Sequence, residues 1–225
     1  MPVTVNEPGR SPDALWRAYL DWLAEHLPEA TPRLNPPADE SAIAELEALV
    51  GHELPDAVKA GWRQHDGERC DSYRGVALGF WWLPVAEVAQ VWNDWAQIRR
   101  EQDEAFFEVV DKPQRSYPER AIKKQYTSPG WIPILRWPYD GDYVGLDYDP
   151  GPEGRPGQVI NFGRDQEHKF VAAEDFATFL AWMVQEAEGG CVTIDRDDED
   201  DDPIFEHEDG ILVNALSSAS GATFR

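Results

Sequence analysis

The stretch from Trp131 to Phe162 constrains the fold more than any other part of the chain. It reads Trp131-Ile132-Pro133-Ile134-Leu135, then Tyr139-Asp140-Gly141-Asp142-Tyr143-Val144-Gly145-Leu146-Asp147, then Gly157-Gln158-Val159-Ile160-Asn161-Phe162. Three short apolar or aromatic runs are separated by clusters of Gly, Asp and Pro. Such runs predict consecutive strands of one antiparallel sheet. The stretch holds no His, Cys or Ser placed as a nucleophile, and its carboxylates fall where turns need them. That combination points to a binding module rather than an enzyme.

Helices precede the meander. Ser11-Pro12-Asp13 opens the first, with Ser11 as N-cap and Pro12 in the first turn. Leu15, Trp16, Tyr19, Trp22, Leu23 and Leu27 recur at three- and four-residue intervals and mark one apolar face. A second helix starts at Asp39 or Ser41 and stops at Gly51. A third begins at Leu54-Pro55 and closes at His65-Asp66-Gly67. Arg74 to Leu83 reads as one or two strands, and Pro84 opens a fourth helix. Phe106 to Val110 fits either a helix or a strand. Asp111 to Gly130, punctuated by Pro113, Pro118 and Pro129, reads as a long loop. His168 to Ala172 is a further strand. Glu174 to Glu186 is a closing helix stopped by Gly189-Gly190.

The tail differs in kind. Cys191 to Ile194 has the makings of one more strand. The run Asp195 to Asp202 is self-repelling, Ile211-Leu212-Val213 is placed to dock on the body, and Ser217 to Arg225 reads as disordered. Residues 1–190 are therefore expected to form one domain, and 191–225 an acidic, partly disordered extension.

Composition narrows the partners. Of a formal net charge of −23, residues 191–225 carry −8 and the first 190 residues −15. A field of that sign disfavours nucleic acid and anionic membranes, and favours basic proteins. Ten Trp and a hydrophobic fraction of 42% supply ample core material. Cys70 and Cys191 make no disulfide framework, which fits a reduced, cytoplasmic setting. No basic-then-apolar leader and no run of about 20 apolar residues is present, so neither a signal peptide nor a membrane span is expected.

The five His show no metal-ligand spacing with one another or with either Cys, and no phosphate loop or nucleophile elbow occurs. The acidic run lacks the central Gly and terminal Glu of an EF-hand loop. No catalytic residue, metal or cofactor is expected. Two groups are candidates for partner binding. Asp140, Asp142, Asp147 and Asp149 offer an acidic edge for Arg and Lys of a basic partner, although Asp at hairpin ends also serves turn geometry. Trp82, Trp137, Tyr139 and Tyr143 offer aromatic anchors, although one of Trp81 and Trp82 must face the core.

The order of the pieces carries a resemblance. Glu45-Leu46-Glu47-Ala48-Leu49-Val50-Gly51-His52-Glu53-Leu54-Pro55 precedes a helix ending at His65-Asp66-Gly67. Trp82-Leu83-Pro84 leads into the next helix, the meander follows, and Phe176-Ala177-Thr178-Phe179-Leu180 lies on the closing helix. Over roughly residues 15–186 this ordered set resembles the SUKH superfamily, within it the Smi/Knr branch named after a yeast cell-wall-assembly regulator. The resemblance implies an α+β fold with a central antiparallel sheet of about five to six strands and helices packed around it. It implies function by protein binding, without catalytic residues. Bacterial members of such a family neutralise toxins, so the first expectation is an immunity protein that binds a cognate basic toxin, possibly a nuclease. The alternative is a non-enzymatic regulatory adaptor in cell-wall or envelope metabolism.

Overall fold

The computed structural model describes residues 2–3, 9–71, 75–138, 141–195, 204–207, 210 and 212–222. Helix α1 spans Pro12–His26 and starts where the Ser11 hydroxyl accepts from the Ala14 N–H at 3.3 Å. A 3₁₀ helix, Pro28–Arg33, follows. Helix α2 spans Glu40–Val50 and ends at Gly51, whose φ of 75° is the left-handed turn that glycine permits without strain. Helix α3 (Asp56–Gln64) starts after Pro55, and α4 (Val85–Glu101) after Pro84. A short helix α5 covers Glu104–Asp111, and α6 covers Phe176–Glu188. Each of those two is capped by an aspartate, Asp103 and Asp175.

Six strands form the main sheet. They are β1 (Trp81–Trp82), β2 (Arg115–Tyr117), β3 (Trp131–Arg136), β4 (Asp142–Asp147), β5 (Gln158–Gly163) and β6 (His168–Ala173), in the order β1-β3-β4-β5-β6-β2. Strands β3 to β6 are the antiparallel meander, with Trp131 opposite Asp147 and Asp142 opposite Gly163. The expected α+β architecture is present with one departure: β2 joins the far edge parallel to β6. A separate two-stranded sheet pairs β7 (Val192–Asp195) with β8 (Ile204–His207), and helix α7 covers Leu212–Ala219.

The core forms where the α1 stripe meets α3, α6 and the start of the sheet. Trp16 stacks on Trp82 at 4.3 Å between ring centres, and its indole N–H donates to the Ala57 carbonyl at 2.7 Å. The Tyr19 hydroxyl donates to the Val76 carbonyl and accepts from the Leu78 N–H. These bonds let large polar-tipped rings be fully buried, each worth about 2–3 kcal/mol in apolar area removed from water.

Three expectations need correction. The 111–130 segment is not a free loop: it contributes β2, and Ala121 and Ile122 are buried in the core. Residues 75–80 form a tight bridged turn rather than a strand, pairing Gly75 with Gly79 and Ala77 with Phe80. The strand expected near Cys191 to Ile194 is present as β7, and Val192, Phe205, Leu212, Ala215 and Leu216 are buried in the same core, so the departure lies further on. Ser217 to Ser220, expected to be disordered, continue α7 and its closing turn. The acidic run from 196 onward lies outside the described residues.

Candidate protein-binding surface

The acidic edge is mostly turned inward. Asp147, at the end of β4, is fully buried and accepts from the Trp131 indole, the Gln158 amide and the Asp149 N–H at 2.9–3.1 Å. Burial pushes its carboxyl up to about 6, against the pull of those donors. Gln158 also donates to the Ala121 carbonyl, so Asp147 fastens the 111–130 segment across the end of the sheet. Asp149 extends this fastening through an ion pair with Lys123 and a bond from the Ser128 hydroxyl. Partial burial works against the Asp149 charge, but these partners outweigh it and hold its pKa below the ordinary value. Asp142, at the start of β4, is buried and accepts from the Gln166 amide at 2.7 Å and the Asp165 N–H at 3.3 Å.

The aromatics divide similarly. Trp82 is 1% exposed in the stack with Trp16, so the core claims it, and Trp81 is the half-exposed neighbour, with Arg136 over its ring at 5.5 Å. Tyr143 is buried against Phe162, and burial raises its pKa. Trp137 is half-buried against Phe80. Four of the eight expected contact residues, Trp82, Asp142, Tyr143 and Asp147, are thus structural and present no surface to a partner. Trp82 faces the core while Trp81 does not, as strand alternation requires, whereas Asp142, Tyr143 and Asp147 lie on β4, a central strand whose six residues are all buried. Trp137 and Asp149 keep partial exposure. Tyr139 and Asp140 lie outside the described residues.

A different surface is open. A groove of about 370 Å³ runs between α2 and α4. One wall is Ala42, Glu45, Leu46 and Leu49, spaced as one face of α2. The other wall is Val85, Ala86 and Ala89 of α4, with Asp66 at its start. Leu49 is 38% exposed, one of two large apolar side chains so exposed among the described residues. The only titratable groups of the lining are carboxylates. Asp66 also accepts from the Val85 N–H at 2.8 Å, capping α4, and its half-burial raises its pKa. Motif reading did not single out this groove, because its walls lie some forty residues apart in the chain. The α2 spacing predicts Ile43, Leu46, Leu49 and Val50 facing inward; the structure buries the other three and leaves Leu49 exposed at the groove.

No three His, Cys, Asp or Glu come together as a metal-binding group among the described residues. The Cys70 thiol is pushed up to about 12, mainly by burial, which makes it a poor nucleophile. No helix among the described residues is long and apolar enough to cross a membrane. The model of the SMI1/KNR4 family (SUKH-1) matches residues 37–182. The chain belongs to that family. Three relatives show what SMI1/KNR4 proteins are named for. A fission yeast (Schizosaccharomyces pombe) cell wall biosynthesis/cell cycle regulator is 32% identical over 189 residues, covering 81% of this chain and 37% of its own. A Neurospora crassa glucan synthesis regulatory protein is 30% identical, covering 81% and 39%. The Saccharomyces cerevisiae cell wall assembly regulator SMI1 is 28% identical, covering 92% and 45%. The chain therefore spans less than half the length of these SMI1/KNR4 relatives.

Two buried acids, Glu68 and Asp147, shape the pH response. Glu68 is fully buried; its carboxylate meets Arg33 at 2.6 Å and accepts from the N–H groups of Val76 and Trp82. Burial nevertheless pushes it up to about 7. For Glu68 and Asp147 the folded pKa exceeds the unfolded one, so their contribution is full below about pH 4 and is lost as pH rises through 6 to 7. The melting temperature is expected to rise by several degrees between about pH 8 and about pH 5.5. Differential scanning fluorimetry across that range checks it. A flat or falling profile would show that both acids stay ionised at little cost.

Proposed function

We propose that this chain is a non-enzymatic regulatory adaptor of the SMI1/KNR4 type, working by protein–protein contact in the cytoplasm on cell-wall or envelope synthesis. The observation that carries the reading is the family match together with relatives named as regulators of wall assembly and glucan synthesis. The geometry is compatible: an open apolar groove with acidic walls on a well-packed body, and no reactive constellation among the described residues. The test is deletion of the gene in its own host. Expected results are altered wall polymer content and increased lysis under wall stress, both restored by the full chain. A deletion strain with a normal wall would end this reading.

A second reading, neutralisation of a basic toxin, is favoured by the charge of −23, of which the first 190 residues hold −15. Steering by such a field gives fast, salt-sensitive association with basic proteins. Under this reading, co-expression with toxins encoded beside the gene restores survival while the wall phenotype is absent.

A further inference from the structure

We infer that the α2–α4 groove is a docking site for an amphipathic, basic helix of a partner protein. The inference rests on the adaptor reading in one respect, that the chain acts by binding a protein. Shape comes first. Both walls are helix surfaces, and the residues facing the gap are small or apolar: Ala42, Leu46 and Leu49 against Val85, Ala86 and Ala89. Alanines let a third helix approach to ordinary interhelical distance while its own apolar side chains fill the gap. A cleft of about 370 Å³ falls in the range that holds several side chains rather than a single water.

The backbone of the occupant follows from the walls. An extended peptide laid here would turn N–H and C=O groups toward Ala, Leu and Val side chains that cannot pair with them. A helix satisfies its own backbone and presents side chains at i, i+3, i+4 and i+7, the spacing of the α2 wall itself. Its charge follows from the lining. Glu45 lies exposed on one wall and Asp66 at the start of the other, with no cation among the lining residues. An acidic helix would meet like charges in a partly desolvated cleft, whereas Lys or Arg flanking the apolar face would pair with both. The field of a chain at −23 acts in the same direction over longer range.

The test uses the full chain and a synthetic probe. The probe is a fluorescent helical peptide of about 18 residues with Leu along one face and Lys and Arg on the flanks. Its twin carries Glu in place of every Lys and Arg. Anisotropy titration should show micromolar binding of the basic peptide, and binding at least about ten-fold weaker for the acidic twin. Amide shift changes in NMR should map to residues 42–49 and 85–89. Ala86→Arg, at an exposed position, fills the groove and adds a cation; it should abolish binding without changing the circular dichroism spectrum. Should that variant fail to fold, Glu45→Lys, on the exposed face of α2, should still weaken binding about ten-fold or more.

Equal binding of both peptides, or shifts confined to another face, would overturn the proposal. So would a concentration-dependent dimer in sedimentation that Ala86→Arg converts to monomer, since a second copy would then be the occupant. The titration needs neither the host nor the native partner. A failed groove therefore leaves the wall phenotype to be judged separately, and a normal wall leaves the groove result standing.

Discussion

Glu68→Ala is expected to lower stability by about 3–5 kcal/mol, because it removes one partner of a buried, hydrogen-bonded ion pair. Four consequences coincide at this side chain. The Arg33 guanidinium, with its side chain only 14% exposed, loses its carboxylate. The Val76 and Trp82 N–H groups lose the oxygen that both reach at 2.8–2.9 Å. The tight turn at 75–80 is no longer tied to the strand it precedes. The Leu34–Glu68 bridge loses the side-chain anchor above it. Urea unfolding should show the loss as a shift in midpoint at unchanged slope, and thermal melting as a drop of about 10 °C or more. Glu68→Gln keeps an acceptor for the two N–H groups and loses only the charge, so it should cost less, and its cost should grow at acid pH, where the wild type gains stability by taking up a proton and the variant does not. A loss under about 1 kcal/mol for Glu68→Ala would mean that water takes the carboxylate's place.

Local signals made most of the helices legible. Ser11 before Pro12, Gly51 after Val50 and Pro84 before Val85 are each punctuation with a mechanism, and the boundaries fall there. The meander was legible for the same reason. Failures arose where placement depends on distant partners. Arg115–Tyr117 is too short and too polar to announce a strand; it exists because the β6 edge offers hydrogen bonds, and because Gln158 and Asp147 hold the following segment. Asp147 looked like turn chemistry or a contact edge, and only the positions of Trp131 and Gln158 reveal a buried acceptor. Only the end of the tail helix, from Ser217 on, reads as disordered, because Ser, Ala and Gly dominate it, yet Leu212, Ala215 and Leu216 align on one face that the body covers. The groove was illegible for a further reason: a gap between two helices has no residue of its own.

Gly145→Ala is the second large effect, and it concerns the meander directly. Proline inside a central strand is unusual, because it cannot donate to the ladder. Pro133 is tolerated in β3 through a register shift between Pro133 and Leu135, and Gly145 of β4 is the residue opposite it. A Cβ added at Gly145 would run into the Ile132 carbonyl oxygen and come within 3.0 Å of the Ile132 carbonyl carbon and the Pro133 Cα. All of these are backbone atoms of the neighbouring strand, so no side chain can swing away. The two strands would have to part at the centre of the sheet, where Val144 and Leu146 are fully buried on either side. The cost should reach about 3 kcal/mol or more, the upper end of overpacking. Gly141→Ala, in the same hairpin, is the control. A Cβ there meets only the Arg164 Cβ at 3.6 Å, an ordinary contact, so its effect should stay within about 0.5 kcal/mol. Chemical unfolding of the two variants side by side separates a steric demand at the bulge from a general preference for glycine. Equal losses would show that turn flexibility, not the close approach of β3, is what the meander requires of its glycines.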